Sequence, residues 1–255
     1  MIEHHPGAAP EAGRLVVEPE RCGPDGSANG GYLAGLLAAR LPRGGAPAAQ
    51  VALRRPPPLA APLDVVADGP GLRLEAAGEL VAEALATELD VDCVEPVPYE
   101  EALAAGARFP GLARHPFPRC WVCGTGRPDG LGLRPGPLPA RPGTTAAAWT
   151  PRPEHAGPDG EVPAEVAWAA LDCPGGWTVD LPGRPSVLGR MTAQVDALPR
   201  AGERCVVMGA LLGEQGRRSF SATTLYDGDG RVLGRAHAVW VAVDLAEFAR
   251  RSPAA

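Results

Sequence analysis

Few residues in this chain have both the type and the company that chemistry needs. Asp172 ends an apolar run, Val166-Ala167-Trp168-Ala169-Ala170-Leu171, directly before Cys173-Pro174-Gly175-Gly176. A carboxylate pointed into an apolar interface has its pKa pushed up, which suits general-base work near neutrality. The plain alternative is a helix-end acid, since Pro174 disfavours helix at Cys173. Asn29-Gly30-Gly31 opens a second apolar run, Tyr32-Leu33-Ala34-Gly35-Leu36-Leu37-Ala38. Asn is a good N-cap, a helix N-terminus points free N–H groups and positive dipole outward, and glycine lets a substrate approach that backbone. A mere loop-to-helix junction would use the same residues.

The thiols and cations are more ambiguous. Cys120-Trp121-Val122-Cys123 has the spacing of half a zinc site, yet structural zinc wants four Cys or His ligands. His115 is near, while His155 and Cys93 are far in sequence, so no metal is assigned; a turn with buried thiols is preferred over zinc or redox chemistry. Cys173 would be a nucleophile only with a His partner, and none is visible. His237 lies in an alternating strand and reads as structural. Arg54-Arg55, before Pro56-Pro57-Pro58, and Arg217-Arg218 could meet phosphates, as Arg forks do, or be solvated strand-edge residues. No Gly-rich nucleotide loop and no Ser-centred G-x-S-x-G elbow is present, which leaves a Rossmann oxidoreductase or an α/β-hydrolase unsupported.

The elements that must position these residues come in two copies. A shift of 134 residues lays Pro19-Glu20-Arg21-Cys22-Gly23-Pro24-Asp25-Gly26 over Pro153-Glu154-His155-Ala156-Gly157-Pro158-Asp159-Gly160, with six of eight identical. Both copies run into a helix-like segment, Asn29–Leu41 and Pro163–Asp172, apolar nearly all round and so suited to burial. Asn29 and Pro163 suit the two helix starts. Strand-like segments follow in both: Leu63–Ala67 resembles Arg204–Met208, and Gly78–Ala84 resembles Gly230–Ala236. Asp227-Gly228-Asp229-Gly230 predicts a hairpin between Phe220–Tyr226 and Arg231–Val243. The expected organisation is an N-terminal unit over 1–95, a Pro-rich surface linker over 96–119 with a short helix near Glu100–Ala107, and a C-terminal unit over 120–250.

Composition sets outer bounds. The 255 residues, 45% hydrophobic and 21% charged, suffice for a real core. Gly and Pro are abundant, at 33 and 30, but patterned apolar segments recur and argue against disorder. A net charge of −6 excludes a broadly basic nucleic-acid binder. All 24 basic residues are Arg, a usage read as coding bias of a bacterial-like composition; it excludes any mechanism needing a catalytic lysine. No apolar run reaches the roughly 20 residues of a membrane span. Met1-Ile2-Glu3-His4-His5-Pro6 has no signal-peptide character, and the scattered cysteines fit a reduced cytoplasmic setting.

A strand, a glycine-led apolar helix and an antiparallel meander, twice over, resemble the hotdog fold. Asn29-Gly30-Gly31-Tyr32-Leu33-Ala34 looks like the helix start of hotdog acyl-CoA thioesterases. Cys120-Trp121-Val122-Cys123-Gly124 with Gly130-Leu131-Gly132-Leu133 is similar to the segment before the hotdog domain in relatives of phenylacetyl-CoA-type thioesterases, whose helix carries an acid in a pattern like Ala170-Leu171-Asp172. The resemblance implies an α+β chain, a tandem or double hotdog, with each sheet wrapped around one helix and the two helices side by side.

It also implies a site shared between copies. A helix-start amide of one copy polarises a thioester carbonyl, and a carboxylate of the other acts as nucleophile or activates water. Under the 134-residue shift, Gly30 and Gly31 lie over Ala164 and Glu165, and Asp172 lies over Ala38. One composite site, Gly30/Gly31 with Asp172, is therefore complete, and the other is empty. The expected geometry has the Asp172 carboxyl facing the Gly30 and Gly31 amides with room for a thioester between. Asn29, Tyr32, Arg54 and Arg55 are the expected substrate-binding residues.

The implied function is hydrolysis of an acyl-CoA or acyl-carrier-protein thioester, without cofactor, nucleic acid or membrane. The alternative is a non-catalytic acyl- or CoA-binding scaffold. Pairing within one chain makes further association optional, with a homodimer through exposed sheet edges as the expected route.

Overall fold

The computed structural model describes residues 12–42 and 45–252. Met1–Pro6, on which the reading of the N-terminus rests, lies outside them. Eleven strands form one antiparallel sheet: β1 Gly13–Leu15, β2 Ala48–Leu53, β3 Leu63–Asp68, β4 Gly71–Ala76, β5 Glu79–Thr87, β6 Gly136–Pro137, β7 Thr144–Trp149, β8 Ser186–Val195, β9 Cys205–Gln215, β10 Arg218–Tyr226 and β11 Val232–Ala242. The helices are α1 Gly30–Ala38, α2 Tyr99–Gly106, α3 Ala164–Gly176 and α4 Leu245–Arg251. Among the described residues, no helix is long and apolar enough to cross a membrane.

The spatial strand order is β1-β3-β4-β5-β2-β8-β11-β10-β9-β7-β6. Read outward from the middle, each half gives the same sequence of roles: the strand after the buried helix, then the last, the third and the second of the meander, then the strand before the helix. The halves join where Ala49–Ala52 of β2 pair antiparallel with Ala193–Arg190 of β8. The paired helices α1 and α3 lie side by side, and α3 also rests on β8, β9, β10 and β11.

The repeated octapeptide folds the same way in both copies. Pro19–Arg21 and Pro153–His155 are each one turn of 3-10 helix. Gly23 N–H donates to Ser27 O at 2.9 Å, and Gly157 N–H to Glu161 O at 2.7 Å. Gly26 and Gly160 both need the left-handed region, with φ of 74° and 80°. Ala28 N–H then bonds Pro57 O and Val162 N–H bonds Pro199 O, which hands each loop to the N-cap of its helix. The six identities therefore encode a folded loop, beyond shared composition.

Two sequence expectations need correction. First, helix continues past Cys173 to Gly176 with Pro174 inside it. The last turn is held from outside: Thr223 Oγ1 donates to Leu171 O and Thr145 Oγ1 to Pro174 O, both at 2.8 Å. The bond to Pro174 O gives a partner to a last-turn carbonyl that the helix itself leaves without one, and the bond to Leu171 O ties the preceding turn to β10. Second, the stretch from 96 onward is not a simple surface linker. Val97, Ala102 and Ala105, in and before α2, make a small second core with Leu138, Ala146, Val206 and Met208. Residues 117–133 then pass into the main core, where Trp121, Val122 and Leu133 are fully buried. Trp121 N–H donates to Cys22 O at 2.7 Å, so this segment touches the first half as well.

Candidate active site

The site begins at the start of α1. Asn29 caps the helix: its Oδ1 accepts from Tyr32 N–H at 2.9 Å. That bond fixes the orientation of the side-chain amide and turns Nδ2 toward α3. Nδ2 donates to Asp172 Oδ2 at 2.9 Å and lies 4.0 Å from Cys120 Sγ. Gly31 N–H donates to the same Asp172 Oδ2 at 3.1 Å.

Such an approach requires helices packed nearly backbone to backbone. A Cβ on Gly31 would lie 2.6 Å from Asp172 Cβ and 2.8 Å from Trp168 O, and a Cβ on Gly35 would lie 2.4 Å from Glu165 Cα. Gly31 and Gly35 are four apart on α1, one face of a helix. Their partners run backward along α3, from Asp172 to Glu165, so the two helices are antiparallel. The positive N-terminus of α1 therefore meets the acid near the C-terminal end of α3.

Asp172 is 3% exposed, and its Oδ1 has no hydrogen-bond partner. Burial pushes its carboxyl up to about 7, with nearby Cys120 adding to the rise and the Gly31 and Asn29 donors opposing it. The expected gap between carboxylate and glycine amides is absent at Gly31. That amide is taken by Asp172 directly, with no room for a thioester between them. Gly30 is different: it occupies the first helical position, where no earlier turn receives its N–H, and it lines a cavity.

That cavity has a volume of about 370 Å³. Asn29, Gly30 and Asp172 border it; Leu53, Leu188 and Trp240 give it apolar wall, and Phe248 and Arg251 of α4 close over one side. Arg54 and Arg55 line it, each paired with a carboxylate, Glu83 for Arg54 and Glu79 for Arg55. Arg217 lines it too and makes no ion pair among the described residues, which leaves its guanidinium available. Tyr32 does not line it. Its ring packs edge-on against Trp121, with centroids 5.4 Å apart, and Arg21 stacks over the same indole at 4.1 Å.

At the second composite position Ala38 is buried and offers no acid, while Glu165 packs its backbone on Gly35.

The fold adds what spacing could not show. Cys173 comes to Cys120 and Cys123, with all three sulfurs within 4.8 Å of one another and bordering the cavity. Hydrogen bonds from the thiols of Cys123 and Cys173 hold Cys120 well below the ordinary thiol range. Burial pushes Cys123 up, and its bonds to Cys120 and Cys123 push Cys173 up. His115, near in sequence, is committed elsewhere: Nδ1 accepts from Phe117 N–H at 3.0 Å and Nε2 meets Cys123 O at 3.2 Å. His155 lies against Trp121, and Cys93 is exposed. His237 lies in β11 with its ring stacked on Phe220, as a structural residue would.

No family model matches the sequence, and no curated protein matches it. Solved structures do. A candidate thioesterase from Novosphingobium aromaticivorans is similar at a TM-score of 0.62 and 17% identity, covering 91% of this chain and 95% of that one. A tesB protein from Mycobacterium avium subs paratuberculosis gives 0.58 and 12%, over 91% and 92%. A protein of unknown function with hot dog fold from Alicyclobacillus acidocaldarius gives 0.60 and 16%, over 92% and 97%. The chain has the hot dog fold, an α+β architecture, over most of its length.

Proposed function

We propose that this chain is a tandem hot dog protein that hydrolyses an acyl thioester at one composite site between its halves. The observation that carries this reading is the Asp172 carboxylate: buried beside a cavity, anchored through Oδ2 to the start of α1, and unpartnered at Oδ1. The repeated strand order and the repeated loop support two units, roughly 1–95 and 120–250. Segment 120–133 serves both units, because it packs on Cys22 as well as on α3.

In the proposed reaction the thioester carbonyl lies in the cavity with its oxygen toward the Gly30 N–H. Asp172 Oδ1 takes a proton from water as the water oxygen attacks the carbonyl carbon. The tetrahedral oxyanion is held at the helix start, the carbon–sulfur bond breaks, and the proton passes to the departing thiolate. Asn29 and Gly31 act as positioning residues, because they hold Oδ2 and so aim Oδ1. Arg217 supplies positive charge at the rim, which fits coenzyme A phosphates, and Arg54 and Arg55 would join it on exchanging Glu83 and Glu79 for phosphate. Of the two expected donors, Gly30 and Gly31, only Gly30 serves in this reaction, since the Gly31 amide is occupied.

The non-catalytic reading has one observation in its favour: a single free helix amide is a thin oxyanion hole. A panel of acyl-CoA and acyl-carrier-protein substrates separates the two. Wild type should release free thiol, and Asp172→Asn should lower kcat by roughly 10²–10⁴ in a protein whose unfolding midpoint is not reduced. Binding of acyl-CoA without turnover, equal in both proteins, would establish the scaffold instead.

A further inference from the structure

Three thiols distant in sequence converge beside the cavity. Cys120 and Cys123 arrive on the 117–133 segment and Cys173 on the last turns of α3; all are buried, with sulfurs within 4.8 Å of one another. Cys120 Sγ and Cys173 Sγ are 3.8 Å apart. Sulfurs bound tetrahedrally to zinc at about 2.3 Å stand about 3.8 Å from each other, so this separation is already the edge of such a tetrahedron.

The surroundings are arranged for sulfur carrying negative charge. Cys120-Trp121-Val122-Cys123-Gly124 closes on itself through Gly124 N–H to Cys120 O at 2.8 Å. A Cβ on Gly124 would lie 2.4 Å from that same oxygen, so the turn demands glycine. Trp177 Nε1 donates to Cys123 Sγ at 3.4 Å, and Asn29 Nδ2 points toward Cys120 Sγ. Donors of this kind hold thiolates in place while leaving lone pairs for a cation. Beside the sulfurs stands Asp172, nine-tenths buried and more, with one oxygen unpartnered and bordering the same cavity.

We propose that Cys120, Cys123 and Cys173 form a three-thiolate site for one zinc ion, its fourth position on the cavity side beside Asp172. Soft thiolates select zinc over calcium or magnesium, and three protein ligands with an accessible fourth position distinguish the site from a closed structural one. Binding requires all three sulfurs as thiolates, so whatever thiol protons remain are released as the metal enters. The proposal goes beyond thioester hydrolysis and does not depend on it.

The test reads metal, not turnover. The intact chain, reduced and stripped with chelator, is titrated with Co²⁺ and then with Zn²⁺ against a chromophoric competitor. The expected result is one ion per chain, with a near-ultraviolet sulfur-to-cobalt charge-transfer band and the visible bands of a tetrahedral ion, both bleached by equimolar Zn²⁺. Cys123→Ser and Cys173→Ser should each weaken binding at least tenfold, and Cys93→Ser, at an exposed cysteine outside the cluster, should not. Circular dichroism of each variant establishes folding; should a cysteine variant unfold, the wild-type charge-transfer intensity alone still counts the thiolates. Cobalt bound without that band, no binding above the Cys173→Ser level, or a Cys120–Cys123 disulfide in the freshly isolated protein would overturn the proposal.

Discussion

Asn29 ties together more of the molecule than any other polar side chain near the cavity. One amide group caps α1 through Oδ1 and holds Asp172 through Nδ2, so the helix start and the acid of the opposite half share a single rigid link. His155 shows the same economy with a different consequence. Its Nε2 stands between a donor, Arg152 Nη2 at 3.2 Å, and an acceptor, the Asp129 carbonyl at 3.4 Å; the shorter contact is made when Nε2 accepts, in the neutral ring. Burial, and then the charge of Arg152, holds the imidazole below its ordinary pKa, while a backbone contact to Asp129 opposes the shift. The unfolded chain therefore binds a proton here at a higher pH than the folded one. The contribution is complete above about pH 6.5 and is lost as pH falls through that value toward the folded pKa. Asp172, shifted upward, has the opposite slope, so the wild-type curve mixes the two. His155→Gln keeps an acceptor for Arg152 and removes the titration. Its urea midpoint should fall less than that of wild type between about pH 7.5 and about pH 5.5; equal falls would show that His155 is not held neutral.

At the scale of elements, the antiparallel contact of α1 with α3 decides whether a site exists. Gly35 lies under Glu165 with a prospective Cβ–Cα distance of 2.4 Å, against backbone that cannot step aside. Gly35→Ala should therefore destabilise by about 1–3 kcal/mol through overpacking, against the gain that alanine normally brings to a helix. An unchanged or raised denaturation midpoint would show that the helices are not so close. The sequence made both helices, the shared loop and the later strands legible, because Pro-Asp-Gly turns and apolar runs are local signals. It hid β2 and β7, whose Ala-Ala-Gln-Val-Ala-Leu and Thr-Thr-Ala-Ala-Ala-Trp are half alanine, a residue that carries little strand signal. It hid the continuation of α3 through Pro174, which rests on Thr145 and Thr223 from distant strands. Asp172 with Gly30 was legible through complementary loss between copies. Cys173 as companion of Cys120 was not, because only the path of 117–133 across both halves brings them together.

At the scale of the whole molecule, the ends of the sheet carry the argument about association. An exposed strand edge invites pairing with another chain when it is long and flat. Among the described residues the two outer strands are β1, of three residues, and β6, of two, and beyond them residues 66–68 of β3 and 147–149 of β7 keep an unpaired side, so edge-to-edge pairing has only short stretches of backbone to work with. The strands β2 and β8 are paired with each other in the middle, and the facing sides of α1 and α3 are buried against one another within the chain. We therefore expect the intact chain to be monomeric unless these short edges pair. Light scattering of the intact chain should return a mass near 26.3 kDa at micromolar concentration. A fragment starting near residue 134 should behave differently: it would expose the β8 edge and the α1-facing side of α3, and should associate or lose fixed tryptophan ellipticity. A dimeric intact chain would place the association on a face other than the edges, and a well-packed monomeric fragment would show that the two units do not require one another.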